Sequence, residues 1–242
     1  MLERELVPIG TMSTQIAALL GSRIVGGEFR PGATLPVEAE LCGIYGVSRT
    51  VIREAVKNLS AKRLIEVSPK VGTRVLPFAD WNLLDRDVLT WRLSAQFDAK
   101  IVADIFEMRL CFEPRASFLA ARDGTVEDFG AIEHHFHELA RAFETDLTIE
   151  ATAQAELAFH LAVIQASHNG LFVTVGSTFK SALRVSSQML QRHAIQPAET
   201  LATHDAVRAA ILARDPTGAA DAMERLLHAA RDRLLPLAVP IP

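Results

Sequence analysis

The chain has 242 residues, of which 49% are hydrophobic and 22% are charged, and its net charge is −4. It is therefore long enough for two modest domains, and its composition is typical of a globular protein rather than a disordered one. Because it has two cysteines, no run of 18 apolar residues and no signal-peptide order at its start, we expect a cytoplasmic protein without a disulfide framework or a membrane span.

Charge is divided unevenly along the chain. Residues 8–76 carry nine lysines and arginines against five glutamates, a net of +4. Residues 77–242 carry 15 basic against 22 acidic residues, a net of −7, and hold all eight histidines. This asymmetry is expected when one domain meets a polyanion and the other does not.

The amino-terminal part predicts three short helices and a β-hairpin. Apolar residues recur at helical spacing over Ile16–Ile24, and a second helical stretch over 37–45 breaks at Gly46. Ser48 is a good N-cap for a third helix, so the last two helices have the spacing of a helix-turn-helix. Two β-prone runs follow over 64–77, and a hairpin at this place predicts a wing.

The third helix has an apolar stripe and a basic stripe, the latter with Arg49, Arg53 and Lys57 four residues apart. DNA affinity comes mostly from lysine and arginine at phosphates, and specificity from a few side chains at base edges. The start of this helix therefore predicts a DNA contact, with a solvated surface as the alternative for any single residue. The residues predicted to contact DNA are Ser48, Arg49, Thr50, Arg53 and, in the hairpin, Lys70.

The rest of the chain predicts helices only. We expect a DNA-binding domain over 8–77, a linker over 78–98 and an all-helical domain over 99–236. The linker contains both tryptophans and has no clear period. The predicted helices of the last domain cover 99–122, 126–144, 150–168, 171–193, 198–213 and 217–235.

Three helices of this last domain carry residues in a pattern that suits a metal. Glu156 and His160 are four residues apart and therefore share one helix face, beside apolar residues. His204 and His228 lie on the apolar stripes of two further helices. Together the four side chains could close on one ion inside a bundle, although single histidines on helix surfaces are the alternative.

Residues 13–76 resemble the GntR family of winged-helix regulators. The resemblance lies in PVEAEL, in GVSRTVIREA and in the wing sequence SPKVGTRV. It implies that Ser48, Arg49, Thr50 and Arg53 contact operator DNA and that Gly72 lies at the wing tip in the minor groove. Two departures are Ala39, where a fatty-acid regulator of the family has arginine, and Arg63, where glycine is more usual.

The second part resembles the FCD ligand-sensing domain of the FadR subfamily. Metal-binding members carry D-x-x-F-H, then E-H before Ile-Leu, then a late M-x-x-H. This chain has ELAFH at 156–160, THDAVRAAIL from 203 and MERLLH at 223–228. The ligands that the resemblance implies are Glu156, in place of the usual Asp, His160, His204 and His228.

The resemblance also implies an effector site. Arg109 lies in an E-x-R-x-x-x-E element and suits a bidentate grip on a carboxylate, with a simple helix pair to Glu113 as the alternative. Asn169 matches an asparagine near the end of the helix that carries His160. The segment DWNLLDRDVLTW further resembles the branch of galactonate-operon repressors, which implies a sugar acid or a related hydroxy acid as effector.

These observations predict a homodimer that binds palindromic operator DNA, acts as a repressor and is released by a small carboxylate. It would be no enzyme and would hold a divalent metal, zinc first, with nickel or manganese as alternatives. A metal-dependent hydrolase that uses Glu156 as its base is a different interpretation, although no HExxH motif is present. A third keeps the DNA-binding head but makes the helical domain metal-free, with a longer apolar acid as effector.

Overall fold

The computed structural model describes residues 11–68, 72–95, 99–145, 148–193 and 196–237. The chain falls into two compact units that divide between residues 96 and 97. The described residues form ten α-helices and one two-stranded sheet, and the predicted fold class is confirmed. None of these helices is both long and apolar enough to cross a membrane.

The first unit is a winged helix-turn-helix with one further helix. Its helices α1 (Met12–Val25) and α3 (Arg49–Ala61) pack together through side chains that are almost fully buried, among them Leu20, Ile24, Ile52 and Leu59. The opposite face of α3 is exposed, as its basic stripe predicts. The elements are α1 (Met12–Val25), α2 (Glu38–Tyr45), α3 (Arg49–Ala61), β1 (Ile65–Ser68), β2 (Gly72–Val75) and α4 (Arg86–Ala95).

The hairpin is antiparallel and is fixed at its base. Ile65 lies opposite Val75, and both are buried against the helices. At the other end Gly72 has φ +90°, a backbone conformation that favours glycine. Lys70 lies in the turn at 69–71, outside the described residues.

Arg63, which stands where a glycine is more usual, adopts a left-handed backbone conformation that favours glycine. Its φ is +57°, and such a conformation costs a side-chain-bearing residue about 1–2 kcal/mol. Its guanidinium donates to the carbonyl oxygen of Asp80 at 3.0 Å and lies 3.8 Å from the Asp80 carboxylate. These contacts hold the arginine in place and offset part of that cost.

Residues 78–95, predicted as part of a linker, pack against the first unit. Trp81 is buried and donates from Nε1 to the carbonyl oxygen of Leu76 at 2.9 Å. Lys62, just beyond the end of α3, lies 2.9 Å from Asp85 and 2.8 Å from Asp87, at the start of α4. The end of α3 and the start of α4 are thus joined by largely buried ion pairs.

The contact between α1 and α4 leaves no room for a side chain at Gly21. A Cβ atom there would lie 2.2 Å from Cζ3 of Trp91. We expect Gly21→Ala to lower the free energy of unfolding of this unit by about 1–3 kcal/mol, since the indole must move. Chemical denaturation followed by tryptophan fluorescence measures this, because both tryptophans lie in the first unit.

Gly43→Ala in α2 is the matched control. A Cβ atom at Gly43 would meet nothing within 4 Å, so alanine should leave stability unchanged or raise it by up to about 1 kcal/mol. Equal denaturation midpoints for the two variants would contradict the tight contact between Gly21 and Trp91.

The second unit is a helical bundle whose core holds large apolar side chains from several helices, including Phe106, Ile132, Phe159 and Val207. Thr125 caps α6 (Val126–Glu144) in a capping box with Asp128, which explains the sharp start of that helix. The helices are α5 (Ala99–Asp123), α6 (Val126–Glu144), α7 (Ile149–Ala166), α8 (Gly170–His193), α9 (Pro197–Leu212) and α10 (Pro216–Leu234).

Candidate metal centre and DNA-binding helix

Three helices of the second unit bring five polar side chains together in an otherwise apolar core. Helix α5 supplies Arg109 and Glu113, α7 supplies Glu156 and His160, and α9 supplies His204. Each pair on α5 and α7 is four residues apart, so both members share a helix face. All five residues are at most 5% exposed. Such burial is costly unless each polar atom finds a partner.

A subset of these residues is arranged as metal ligands would be. The donor atoms of Glu156, His160 and His204 all lie within 4.8 Å of one another. Oε2 of Glu156 and Nε2 of His204 are buried and have no hydrogen-bond partner. An unsatisfied buried polar atom costs about 1–3 kcal/mol. A carboxylate and an imidazole that both lack partners fit a cation, which needs such lone pairs.

The two histidines are held in the form that binds metals. Nδ1 of His204 donates to the carbonyl oxygen of Thr200 at 2.7 Å, and Nδ1 of His160 lies 2.9 Å from Oε2 of Glu113. In both contacts Nδ1 faces an oxygen acceptor, so Nε2 is the ring nitrogen that could bind a metal. Burial, with the charges of neighbouring basic groups, lowers the pKa of His204 to about 3, so this imidazole is neutral.

Arg109 and Glu113 form a buried pair beside this group. Nε and Nη2 of Arg109 lie 2.5 and 3.2 Å from the two carboxylate oxygens. Nη2 is also 3.3 Å from both ring nitrogens of His160. Burial raises the pKa of Glu113, but the charge of Arg109 and the hydrogen bonds from Arg109 and His160 outweigh it and bring the pKa to about 2. Glu113 is thus an ionised partner of both residues.

Sequence reasoning missed the role of Glu113. The four-residue spacing to Arg109 did reveal the pair, but nothing in that spacing told a buried pair from an exposed one. Thr200 was missed as well, because a backbone carbonyl that orients a histidine leaves no mark in the sequence.

Two predicted site residues lie apart from these contacts. The side chain of His228 is 40% exposed, and its Nε2 is 3.6 Å from the carboxylate of Glu224 one turn earlier. Oδ1 of Asn169 accepts from the backbone of Leu171 and Phe172 and so caps the start of α8. The structure brings Arg109 to the candidate metal ligands, but it does not bring His228 or Asn169 to them.

In the first unit the predicted DNA-contacting residues of α3 share one exposed end of the helix. Ser48, Arg49, Thr50 and Arg53 are all exposed. Ser48 caps the helix, so its backbone and hydroxyl are fixed at the amino terminus. Nε of Arg53 lies 3.0 Å from the carboxylate of Glu38, with 65% of the arginine side chain exposed. This end of α3 presents basic and hydroxyl groups to solvent.

Comparison with known families agrees with both units. Residues 12–75 match the profile described as bacterial regulatory proteins, gntR family. Residues 104–229, more than half of the chain, match the FCD domain. The chain belongs to the GntR family and carries an FCD domain. It is a ligand-responsive DNA-binding regulator, and the hydrolase interpretation is not favoured.

Named relatives of this regulator are themselves regulators. An uncharacterised HTH-type transcriptional regulator, YieP of Escherichia coli K12, is 34% identical over 90% of the chain and 93% of its own length. The galactonate operon transcriptional repressor of the same strain is 34% identical over 91% of the chain and 95% of its own length. These names indicate transcription regulators rather than enzymes.

Solved structures share the fold. A GntR protein of Streptococcus agalactiae superposes with a TM-score of 0.51 at 25% identity, covering 91% of this chain and 99% of its own. Lar, which controls the expression of the Listeria monocytogenes agr system, superposes with a TM-score of 0.66 at 18% identity, over 95% and 99% of the two chains. The second likeness shows the fold alone.

Removing Glu113 should destabilise the FCD domain strongly. Glu113→Ala leaves the Arg109 guanidinium buried without its carboxylate, which typically costs about 3–5 kcal/mol in the free energy of unfolding. Chemical denaturation followed by circular dichroism of the metal-free protein measures the loss.

Glu107→Ala, on the same helix, is the control. The Glu107 side chain is 70% exposed and lies 3.7 Å from Arg231, so its loss should cost at most about 1 kcal/mol. If Glu113→Ala lowered the free energy of unfolding no more than Glu107→Ala does, the buried pair would not stabilise the domain as its burial implies.

Proposed function

We propose that this regulator is a cytoplasmic homodimer that represses an operon for the catabolism of a sugar acid or a related small carboxylate. The acid binds in the FCD domain at a divalent metal and releases the protein from its operator. The observation that carries this proposal is the pair of buried, unpartnered atoms, Oε2 of Glu156 and Nε2 of His204, beside a buried arginine.

Glu156, His160 and His204 would hold the metal. Their mixed set of oxygen and nitrogen donors suits zinc and also nickel or manganese. A bound divalent ion supplies a Lewis acid to which a carboxylate and an α-hydroxyl oxygen can bind. Thr200 and Glu113 fix the two imidazole rings through Nδ1, as outer partners of metal-bound histidines usually do.

Arg109 supports an anionic effector at this place. Its Nε and Nη2 engage Glu113, and Nη1 takes part in neither of these bonds. A guanidinium keeps its charge when buried and can grip a carboxylate with two donors. The name of one relative, the galactonate operon repressor, supports a sugar acid as the effector class.

Operator binding would use the exposed end of α3 in the major groove. Arg49 and Arg53 can reach guanine or phosphate, while Ser48 and Thr50 can donate to phosphate. The wing, with Lys70 and Gly72, would enter the minor groove. Two heads in a homodimer would match the two half-sites of a palindrome. Effector binding would then shift the placement of the heads and lower affinity for DNA.

Arg53→Ala should weaken operator binding by about 10- to 100-fold, because a bidentate base contact is worth about 1–3 kcal/mol. A gel shift with the promoter nearest to the regulator's own gene measures this at fixed salt. Circular dichroism and metal content should not change.

Arg141→Ala is the matched control for this experiment. It removes the same charge from the FCD domain, where the Arg141 side chain is 64% exposed and forms an ion pair with Glu138 one turn earlier. Its operator affinity should equal that of the wild type. An unaltered gel shift for Arg53→Ala would contradict the proposal that this end of α3 contacts operator DNA.

Galactonate-type sugar acids should release the operator complex. The expected fall in affinity is about 5- to 150-fold, the usual range of coupling between two sites. Arg109→Lys keeps the charge but loses the planar fork, so it should bind operator normally and respond poorly to the acid. Removal of metal by a chelator should abolish the response, and added metal should restore it.

The same titration tests the metal-free alternative. If chelation leaves the response intact, and long apolar acids release the operator while sugar acids do not, the metal proposal fails and the apolar effector is favoured.

A further inference from the structure

The register of α10 decides which of its residues can face the metal ligands. Nη1 of Arg233 donates to the hydroxyl of Thr200 at 3.3 Å. Thr200 is also the residue whose carbonyl oxygen orients His204. The face of α10 that carries Arg233 therefore lies against α9 next to the candidate metal centre.

Leu226 shares this face, and His228 does not. Leu226 precedes Arg233 by seven residues, almost two full turns, whereas His228 precedes it by five residues, about 140° around the helix. Leu226 is 3% exposed and lies in the apolar stripe with Met223, Leu227 and Ala230. The His228 side chain is 40% exposed and faces Glu224.

The sequence spacing leads to the same residue. The M-x-x-H pattern places its histidine three residues after the methionine, and three residues after Met223 is Leu226. His228 comes two residues too late for that pattern. Leu226 thus occupies the place that this spacing gives to the last histidine, whereas His228 was predicted to fill it.

We propose that the metal centre of this regulator has three protein ligands, Glu156, His160 and His204, and that Leu226 covers the position of a fourth. Among the described residues, the group of candidate ligands contains these three and no further histidine, cysteine or carboxylate. This inference rests on the proposed metal-dependent function.

The consequence concerns the effector. One carboxylate and two neutral imidazoles leave a divalent ion with a net charge of +1 and more exchangeable positions than four protein ligands would. A monoanionic α-hydroxy acid supplies one negative charge and two neighbouring oxygens. It therefore fits the charge and the open positions of this centre, which makes a chelating hydroxy acid a better effector than a simple carboxylate.

Metal titration of three full-length proteins tests the inference. Chelator-stripped wild type, His228→Ala and Leu226→His are titrated with zinc by calorimetry, with His204→Ala as the control that should lose binding. His228→Ala should bind zinc within about twofold of the wild type. Leu226→His should bind at least about tenfold more tightly, since even outer partners of a ligand are worth about 10- to 100-fold in affinity.

A second readout covers the case in which histidine at 226 disturbs folding. Cobalt is bound to the wild type, and its visible absorption is followed while glycolate or acetate is added. Glycolate should change the spectrum at a concentration at least about tenfold lower than acetate, because it can use two open positions.

The outcomes separate the inference from the proposed function. Loss of zinc in His228→Ala, no gain in a folded Leu226→His, or equal effects of glycolate and acetate would each overturn the three-ligand centre while leaving a metal-dependent regulator in place. Failure of the wild type to bind zinc or cobalt would instead overturn the proposed metal function, and the inference with it.

Discussion

The buried contact of Arg109 with Glu113 and His160 is the interaction on which the effector domain depends. Taking a single carboxylate or guanidinium out of water costs several kcal/mol even after relaxation. Here both oxygens of Glu113 are engaged, one by Nε of Arg109 and the other by Arg109 and His160. Arg109 and Glu113 on α5 therefore bond each other and His160. The buried atoms of this site that lack hydrogen-bond partners belong to Glu156 and His204.

The positions of these buried polar side chains also restrict how the helices pack. A slide of α5 along α7 by one residue would separate Glu113 from His160 and leave Nδ1 of the buried imidazole without its acceptor. The apolar side chains around the site, such as Phe106 and Phe159, can pack in several arrangements of similar energy, but hydrogen bonds cannot. The polar cluster therefore selects one register among those that the apolar core would allow.

Helical periodicity predicted the fold and part of the site because both depend on which residues share a helix face. Glu156 and His160 were found by their spacing, and the exposed end of α3 by its basic stripe. Periodicity does not give the rotation of one helix relative to the next, so His228 on α10 was grouped with the ligands although it faces Glu224. Burial was equally invisible, and the Arg109–Glu113 pair had the spacing of an ordinary surface pair.

The ion pairs of Lys62 with Asp85 and Asp87 have a mechanical consequence. They fasten the start of α4 to the end of the recognition helix, while Gly21 receives the ring of Trp91 further along α4. Helix α4 is thus fixed at two points to the rest of the DNA-binding unit. A force applied to α4 would therefore be transmitted to α1 and α3 together.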